Sequence, residues 1–313
     1  MPRRALRTRK SSRRFARRRS SFSARRIRRN YTVRKLPYRS RTRRPMSKRA
    51  VLSVTSTKKR DVMIGGTTFP PLQANVGSLS VAGNNPAIVL WCASARSLAS
   101  TPLSAETVPT INQRTSSSVF FTGLKETITI RTNTSAAWRW RRIVFTHKGP
   151  IPGFTEADDP LRTFYQLADA QENLEYQRVA TALPFALVAD LYSYVFRGFG
   201  VNNVSAPARD WIDPITAPVD TMRIKVLYDQ VTPIASGNDS GVVKTFNRWH
   251  PVRKNIMYGD QEIGGTLSTS PFSTQARPGI GDVYVMDLVF SNSEGEEDLL
   301  SWLPTSTVYW REK

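Results

Sequence analysis

The sequence predicts an all-β body, a two-sheet sandwich or a barrel, behind a long basic arm. Three observations carry this. About eight short runs of β-forming residues are bounded by Gly, Pro, Asn and Ser clusters, and several alternate apolar with polar. Charge is segregated: residues 1–60 hold 25 Lys or Arg and no acidic residue before Asp61, whereas the other 253 hold 21 basic and all 24 acidic residues. A composition 40% hydrophobic and 10% aromatic over 313 residues can fill one large core. The formal net charge of +22 is therefore a +25 segment on a body of −3, and the partner it calls for is a dense polyanion.

Residues 1–46 read as a disordered arm, because like charges repel and too little apolar surface is present to offset the entropy of ordering. Its cations are Arg3, Arg4, Arg7, Arg9, Lys10, Arg13, Arg14, Arg17, Arg18, Arg19, Arg25, Arg26, Arg28, Arg29, Arg34, Lys35, Arg39, Arg41, Arg43 and Arg44. Guanidinium stays charged and forks onto phosphate oxygens, so such an arm binds nucleic-acid backbone without reading sequence. Phe15, Phe22, Tyr31 and Tyr38 are spaced through it and are either stacking rings for exposed bases or incidental. Residues 13–19 also meet the description of a nuclear localisation signal.

The body, residues 47–313, reads as β-runs at 50–57, 87–92, 119–121, 127–132, 138–146, 222–231, 241–246, 283–290 and 305–311. Met222, Ile224, Val226 and Tyr228 alternate with Arg223 and Lys225, the period of a half-buried strand. A helical insertion is expected at about 158–197. Asp159 and Pro160 suit an N-cap and first turn, Phe164, Leu167, Ala168, Gln171 and Leu174 fall at helical spacing, and Leu187, Val188, Leu191, Tyr192 and Val195 continue it to Gly198. Residues 198–220 and 268–281 read as loops.

Catalytic and cofactor signatures are missing, and no catalysis is expected. The two histidines, His147 and His250, sit in no recognisable motif; G-x-S-x-G and phosphate-loop patterns do not occur. One cysteine and two histidines cannot build a structural zinc site, and no cofactor is expected. Cys92, alone and in an apolar run, reads as a small buried hydrophobe, consistent with a reducing compartment. Glu294, Glu296, Glu297 and Asp298 read as a charged surface loop rather than a Ca²⁺ site. The longest nearly apolar run, 183–196, is too short to span a membrane and contains Asp190, so no membrane insertion is expected. The segment Trp138-Arg139-Trp140-Arg141-Arg142 places Trp138, Trp140 and Arg142 on one strand face and Arg139 and Arg141 on the other. It is read as a stacking and phosphate surface, a contact between subunits or a structural element.

With these features the chain resembles the capsid proteins of small circular single-stranded DNA viruses, most closely the genomoviruses of gemycircularvirus type, and more distantly those of geminiviruses and circoviruses. The arm through Arg44 and the junction 46–60 carry the resemblance. So do residues 164–177, the 222–231 run, Phe246-Asn247-Arg248-Trp249-His250-Pro251 and the closing Val308-Tyr309-Trp310-Arg311. The resemblance implies a single jelly roll of eight strands and a closed icosahedral shell of sixty copies with the arms inside. It implies as partners a circular single-stranded DNA genome, copies of the chain itself and a host nuclear import receptor, and as locations the virion and the host nucleus. Sixty +25 segments amount to about 1500 charges, comparable with the phosphates of a genome of roughly two thousand nucleotides. A non-viral chromatin- or ribosome-associated protein is the alternative expectation, and a nuclease or integrase-like enzyme a weaker third.

Overall fold

After Ser47, whose hydroxyl accepts from the amide of Ala50 at 3.2 Å, the chain forms helix α1 (Lys48–Thr55), and after one residue it enters strand β1 (Thr57–Gly66). The run at 50–57, expected as a strand, is therefore mostly helix. A capped N-terminus satisfies its first amides locally, whereas pairing with a sheet begins only at Thr57. The computed structural model describes residues 46–67, 75–99, 112–154, 163–168, 174–200 and 209–313. The chain divides into two units, Met1–Met46 and Ser47–Lys313. The expected arm lies, Met46 apart, outside the described residues. Its boundary redraws the charge count: twenty of the 46 basic residues precede Ser47, leaving 26 against 24 acidic residues and a second unit of net +2.

The second unit is mostly β. Its further strands are β2 (Leu79–Ala82), β3 (Ala87–Cys92), β4 (Ser118–Thr132), β5 (Trp138–His147), β6 (Tyr165–Ala168) and β7 (Leu174–Val179). After helix α2 (Phe185–Val195) come β8 (Lys225–Ile234), β9 (Val243–Met257), β10 (Gln261–Ile263), β11 (Thr266–Ser268), β12 (Asp282–Ser291) and β13 (Leu299–Glu312). The larger sheet runs β6-β7-β1-β13-β4-β9, with β2 also on β13; the smaller runs β3-β12-β5-β8; β10 and β11 form a hairpin. Pairing is antiparallel except between β1 and β7, so the larger sheet is mixed. Thirteen described strands exceed the eight expected.

Only part of the expected helical insertion is helical. Asp159, Pro160 and Gln171 lie outside the described residues, Leu167 and Ala168 belong to β6, and Leu174 opens β7. These two strands pair with each other from Tyr165 opposite Gln177, and β7 continues onto the edge of β1 at Gly65 and Gly66. Short apolar runs fit either period, and the open edge of β1 decides in favour of strand. The second half does form α2, whose stripe Val188, Leu191, Tyr192 and Val195 is buried.

Two cores separate three layers. Val89, Trp91, Trp138, Trp140, Val144, Val283 and Val285 from the smaller sheet meet Leu124, Ile128, Ile130, Trp302 and Val308 from the larger. On the far face of the smaller sheet, Leu90, Ile143, Phe145, Met286 and Leu288 meet α2 with Trp211 and Ile215. Strands β3, β12 and β5 of the smaller sheet are thus buried on both sides, while its edge strand β8 is largely exposed, and β12 reads as a continuous apolar run broken by Asp282 and Asp287. The larger sheet is covered on one side only, and its strands alternate: in β13 Leu300, Trp302, Ser306, Val308 and Trp310 are buried while Leu299, Leu303 and Thr305 are exposed.

Candidate nucleic-acid interface

The basic run that precedes Asp61 ends inside β1, and strand geometry sorts its last members. Successive side chains point to opposite faces. Lys58 and Arg60 are exposed, while Lys59 between them turns inward and pairs with Glu312 at 3.1 Å. The same sorting runs through the sheet. Of the acidic residues in β1, β13, β4 and β9, Asp61 faces Arg96 at 3.0 Å, Glu126 pairs with Arg142 and with Arg178 at 3.2 Å, and Glu312 holds Lys59. All three point inward, so the outward positions of these four strands carry no carboxylate.

What they carry instead is cations and rings in register, with the exposed apolar side chains of Val62 and Ile64 beside them. Directly opposed residues in antiparallel strands share a face. Lys58 opposes Arg311 and Arg311 opposes Phe120 in one row; Arg60 opposes Tyr309 in the next; Thr307, Lys125 and Trp249 form the third. Trp249 is 45% exposed and touches Tyr309 edge-on, with ring centroids 5.8 Å apart. Gly123 makes this possible: a Cβ there would lie 2.9 Å from two carbons of the Trp249 indole and 2.6 Å from the His250 carbonyl oxygen. Arg311 also donates to Ser53 of α1 at 3.1 Å, joining the helix to this end of the face. Beyond these rows lie Thr127, Thr129, Thr245 and Thr305, with Arg131 at the far end of β4.

The arm residues from Arg3 to Arg44 lie outside the described residues. The Trp-Arg segment is placed, and of the stacking, contact and structural roles expected for it the buried positions fit the structural one. Trp138, Trp140 and Arg142 do share one face, but that face is the interior between the sheets, where both rings are 1% exposed. Arg142 Nε donates to Asp287 Oδ1 at 2.7 Å and Nη1 donates to Glu126 Oε2. Arg178 donates to Asp287 Oδ2 at 2.6 Å and lies between the Trp91 and Trp302 rings, 4.7 Å from each centroid. Two guanidinium groups and two carboxylates thus close a neutral buried cluster. They hold the Glu126 and Asp287 carboxyls below the ordinary range against the opposing pull of desolvation. On the opposite face Arg141 forks onto Asp229, at 2.9 and 2.7 Å, and Arg139 pairs with Asp213. Both faces of β5 are covered, one by the larger sheet and one by α2 with the 209–224 segment, and of this motif only the Arg139 side chain, paired with Asp213, stays partly exposed.

The remaining reactive groups are buried or hydrogen-bonded, and the buried Nε2 of His250 has no hydrogen-bond partner among the described residues. Cys92 is buried, and desolvation pushes its thiol well above the usual range. His147 bonds the Gly149 carbonyl at 3.0 Å and the Tyr194 hydroxyl at 2.7 Å. His250 packs against Tyr228 at 4.8 Å between ring centroids; burial, with Arg142 nearby, lowers it to about 4 and keeps it neutral. In the acidic loop, Asp298 accepts from Thr134 and Ser293, and Glu296 accepts from Asn84 at 3.0 Å. Among the described residues no three His, Cys, Asp or Glu side chains come together in a group that could hold a metal ion.

Sequence reasoning missed Lys58, Arg60, Phe120, Lys125, Trp249, Tyr309 and Arg311 as a set. Within one strand the available signal was Val308-Tyr309-Trp310-Arg311, in which alternation separates Tyr309 and Arg311 from the buried Trp310. Their assembly depends on β1 and β13 pairing across the length of the unit. Compared with known proteins, the chain matches no family model and no curated protein.

Proposed function

We propose that this chain is a coat protein that assembles with copies of itself around single-stranded DNA and performs no catalysis. The observation that carries the reading is the segregation of charge: twenty cations precede Ser47 without one carboxylate, and the unit that follows has a net charge of only +2. Its open sheet face bears cations and rings with every carboxylate of those strands turned inward. A near-neutral body packs against its own kind without strong repulsion, while the arm neutralises phosphate.

The fold we infer is a single jelly roll. Eight strands form two facing four-stranded walls, β1-β13-β4-β9 and β3-β12-β5-β8, and that interleaving of early and late strands supports the reading. On this view β2, β6, β7, β10 and β11 are additions to the eight. The particle is a small icosahedral shell of about sixty copies, found in the virion and, during assembly, in the host nucleus, which it reaches through an import receptor that binds the arm.

Electron microscopy of the purified full-length chain at low and high salt tests assembly; closed shells are expected, and a protein that stays monomeric in every condition overturns the reading. Deleting residues 1–44 and measuring encapsidated DNA tests the arm. Packaging is expected to collapse, and particles with undiminished DNA content would remove the role given to it.

A further inference from the structure

We propose that the outer face of β1, β13, β4 and β9 is itself a binding site for single-stranded nucleic acid, holding unpaired bases on Trp249, Tyr309 and Phe120 and phosphates on the cations between them. The inference rests on the packaging reading and adds to it a second site, separate from the arm, with a preference for single strands over duplex.

The first argument is the exposure of Trp249. The chain has seven tryptophans, and the other six are at most 8% exposed, whereas Trp249, on the edge strand β9, is 45% exposed. Leaving nearly half of a large ring in water forgoes part of the stabilisation that burial gives the other six. The ring is nonetheless held in place: it lies over Gly123, where any side chain would collide with it, and it meets Tyr309 edge-on at an interplanar angle of 67°. An edge-on pair covers at most one of its four ring faces, so flat aromatic surface remains open to a base.

The second argument is the chemistry around the rings. Lys125 stands directly across from Trp249, and Arg60 directly across from Tyr309; in the adjoining row Arg311 stands across from Phe120, with Lys58 beyond Arg311. None of these cations pairs with a carboxylate among the described residues. Alternating rings and cations without negative charge suit a strand whose bases stack while its backbone is neutralised. A duplex hides its base faces within the helix and could use only the cations, which fixes the expected preference.

Trp249 is also the reporter. The full-length chain, kept unassembled as checked by light scattering, is titrated with a fluorescein-labelled twenty-residue oligothymidylate, and separately with a duplex of equal phosphate number. Anisotropy measures binding, and tryptophan emission reports the face. The oligothymidylate is expected to quench the exposed indole, and the duplex to bind without doing so. Trp249→Phe should abolish the emission change while anisotropy still reports bound oligonucleotide. Trp249→Ala with Tyr309→Ala should weaken oligothymidylate binding by about 5- to 150-fold for each ring that stacks, and leave duplex binding unchanged. Oligothymidylate that binds tightly with Trp249 silent, and with no loss in the double variant, would leave the arm as the sole site and overturn the proposal while sparing the packaging reading. Emission that follows protein concentration without nucleic acid would mark the face as a contact between copies and overturn it equally. If neither nucleic acid binds at any salt concentration, the packaging reading falls and the proposal with it.

Discussion

The larger sheet has two faces built from the same four strands, and they handle charge in opposite ways. Inside, each carboxylate has a cation: Asp61 with Arg96, Glu126 with Arg142 and Arg178, Glu312 with Lys59. Outside, Lys58, Arg60, Lys125 and Arg311 face water with rings as neighbours and no carboxylate opposite. Lys58, Lys59 and Arg60 are consecutive and chemically alike, yet the middle one is a structural ion-pair member and the outer two are surface charge. Position on the pleat, not residue type, assigns the role. Inside, charge must be paired because desolvation is costly; outside, unpaired charge costs little and stays free for phosphate.

The sharpest way to break this contrast is to remove one inner partner. Arg178→Met takes away the cation shared by Glu126 and Asp287, both fully buried, and should cost about 3–5 kcal/mol because uncompensated carboxylates remain; urea unfolding followed by circular dichroism measures it. Next comes pH. Asp282 is buried at the start of β12, accepting from Ser94 Oγ at 3.0 Å and from the Ser273 amide at 2.8 Å, and desolvation raises it to about 7. A folded-state value above the unfolded one means the fold retains a proton that the unfolded chain releases. Its stability contribution is therefore full below about pH 4 and lost as pH rises through 7, on the order of 4 kcal/mol in all. His250 acts at the other end: lowered to about 4, it contributes stability above pH 6.5 that is lost as pH falls from there towards 4. Unfolding curves of Asp282→Asn between pH 5 and 8 should be flatter than those of the parent chain, and those of His250→Phe flatter between pH 4 and 6.5.

A smaller effect is expected where the two faces meet. Gly123→Ala drives a methyl into the Trp249 ring and the His250 carbonyl, which should cost about 1–3 kcal/mol and shift the emission of the exposed tryptophan. Smallest for the fold are the outer cations. Arg60→Gln and Lys125→Gln should each move stability by no more than about 0.5 kcal/mol. Each should also lower the slope of log affinity against log salt, for a single strand, by about 0.7. A larger stability loss in either would mean that the outer charges are structural after all.

Much of this fold was legible because a one-sided sheet writes its burial into the chain. Ile128 and Ile130 against Thr127, Thr129 and Arg131 are a half-buried strand in sequence and in space. The strand expected at 222–231 is found three residues later, at Lys225–Ile234, because Asp220 caps a turn over 220–223, its carboxylate accepting from the Met222 amide at 2.9 Å. The Trp138–Arg142 segment was legible in its alternation and illegible in its environment. Its partners Asp229, Asp287 and Glu126 are 16 to 145 residues away, and nothing local announces that both faces of the strand will be covered. The outer face was hidden for a related reason. Its rows take one residue from each of three or four strands, so no stretch of sequence contains the pattern.

The pairing of β1 with β13 has a consequence in time. Thr57 to Ile64 find their antiparallel neighbours only among Thr305 to Glu312, and β13 also separates β1 from β4. During synthesis the residues of β1 emerge long before the neighbours they pair with in β13, so this part of the larger sheet stays open on a nascent chain until the late strand arrives. The single-strand grip proposed for the outer face would belong only to molecules in which that late strand has already docked.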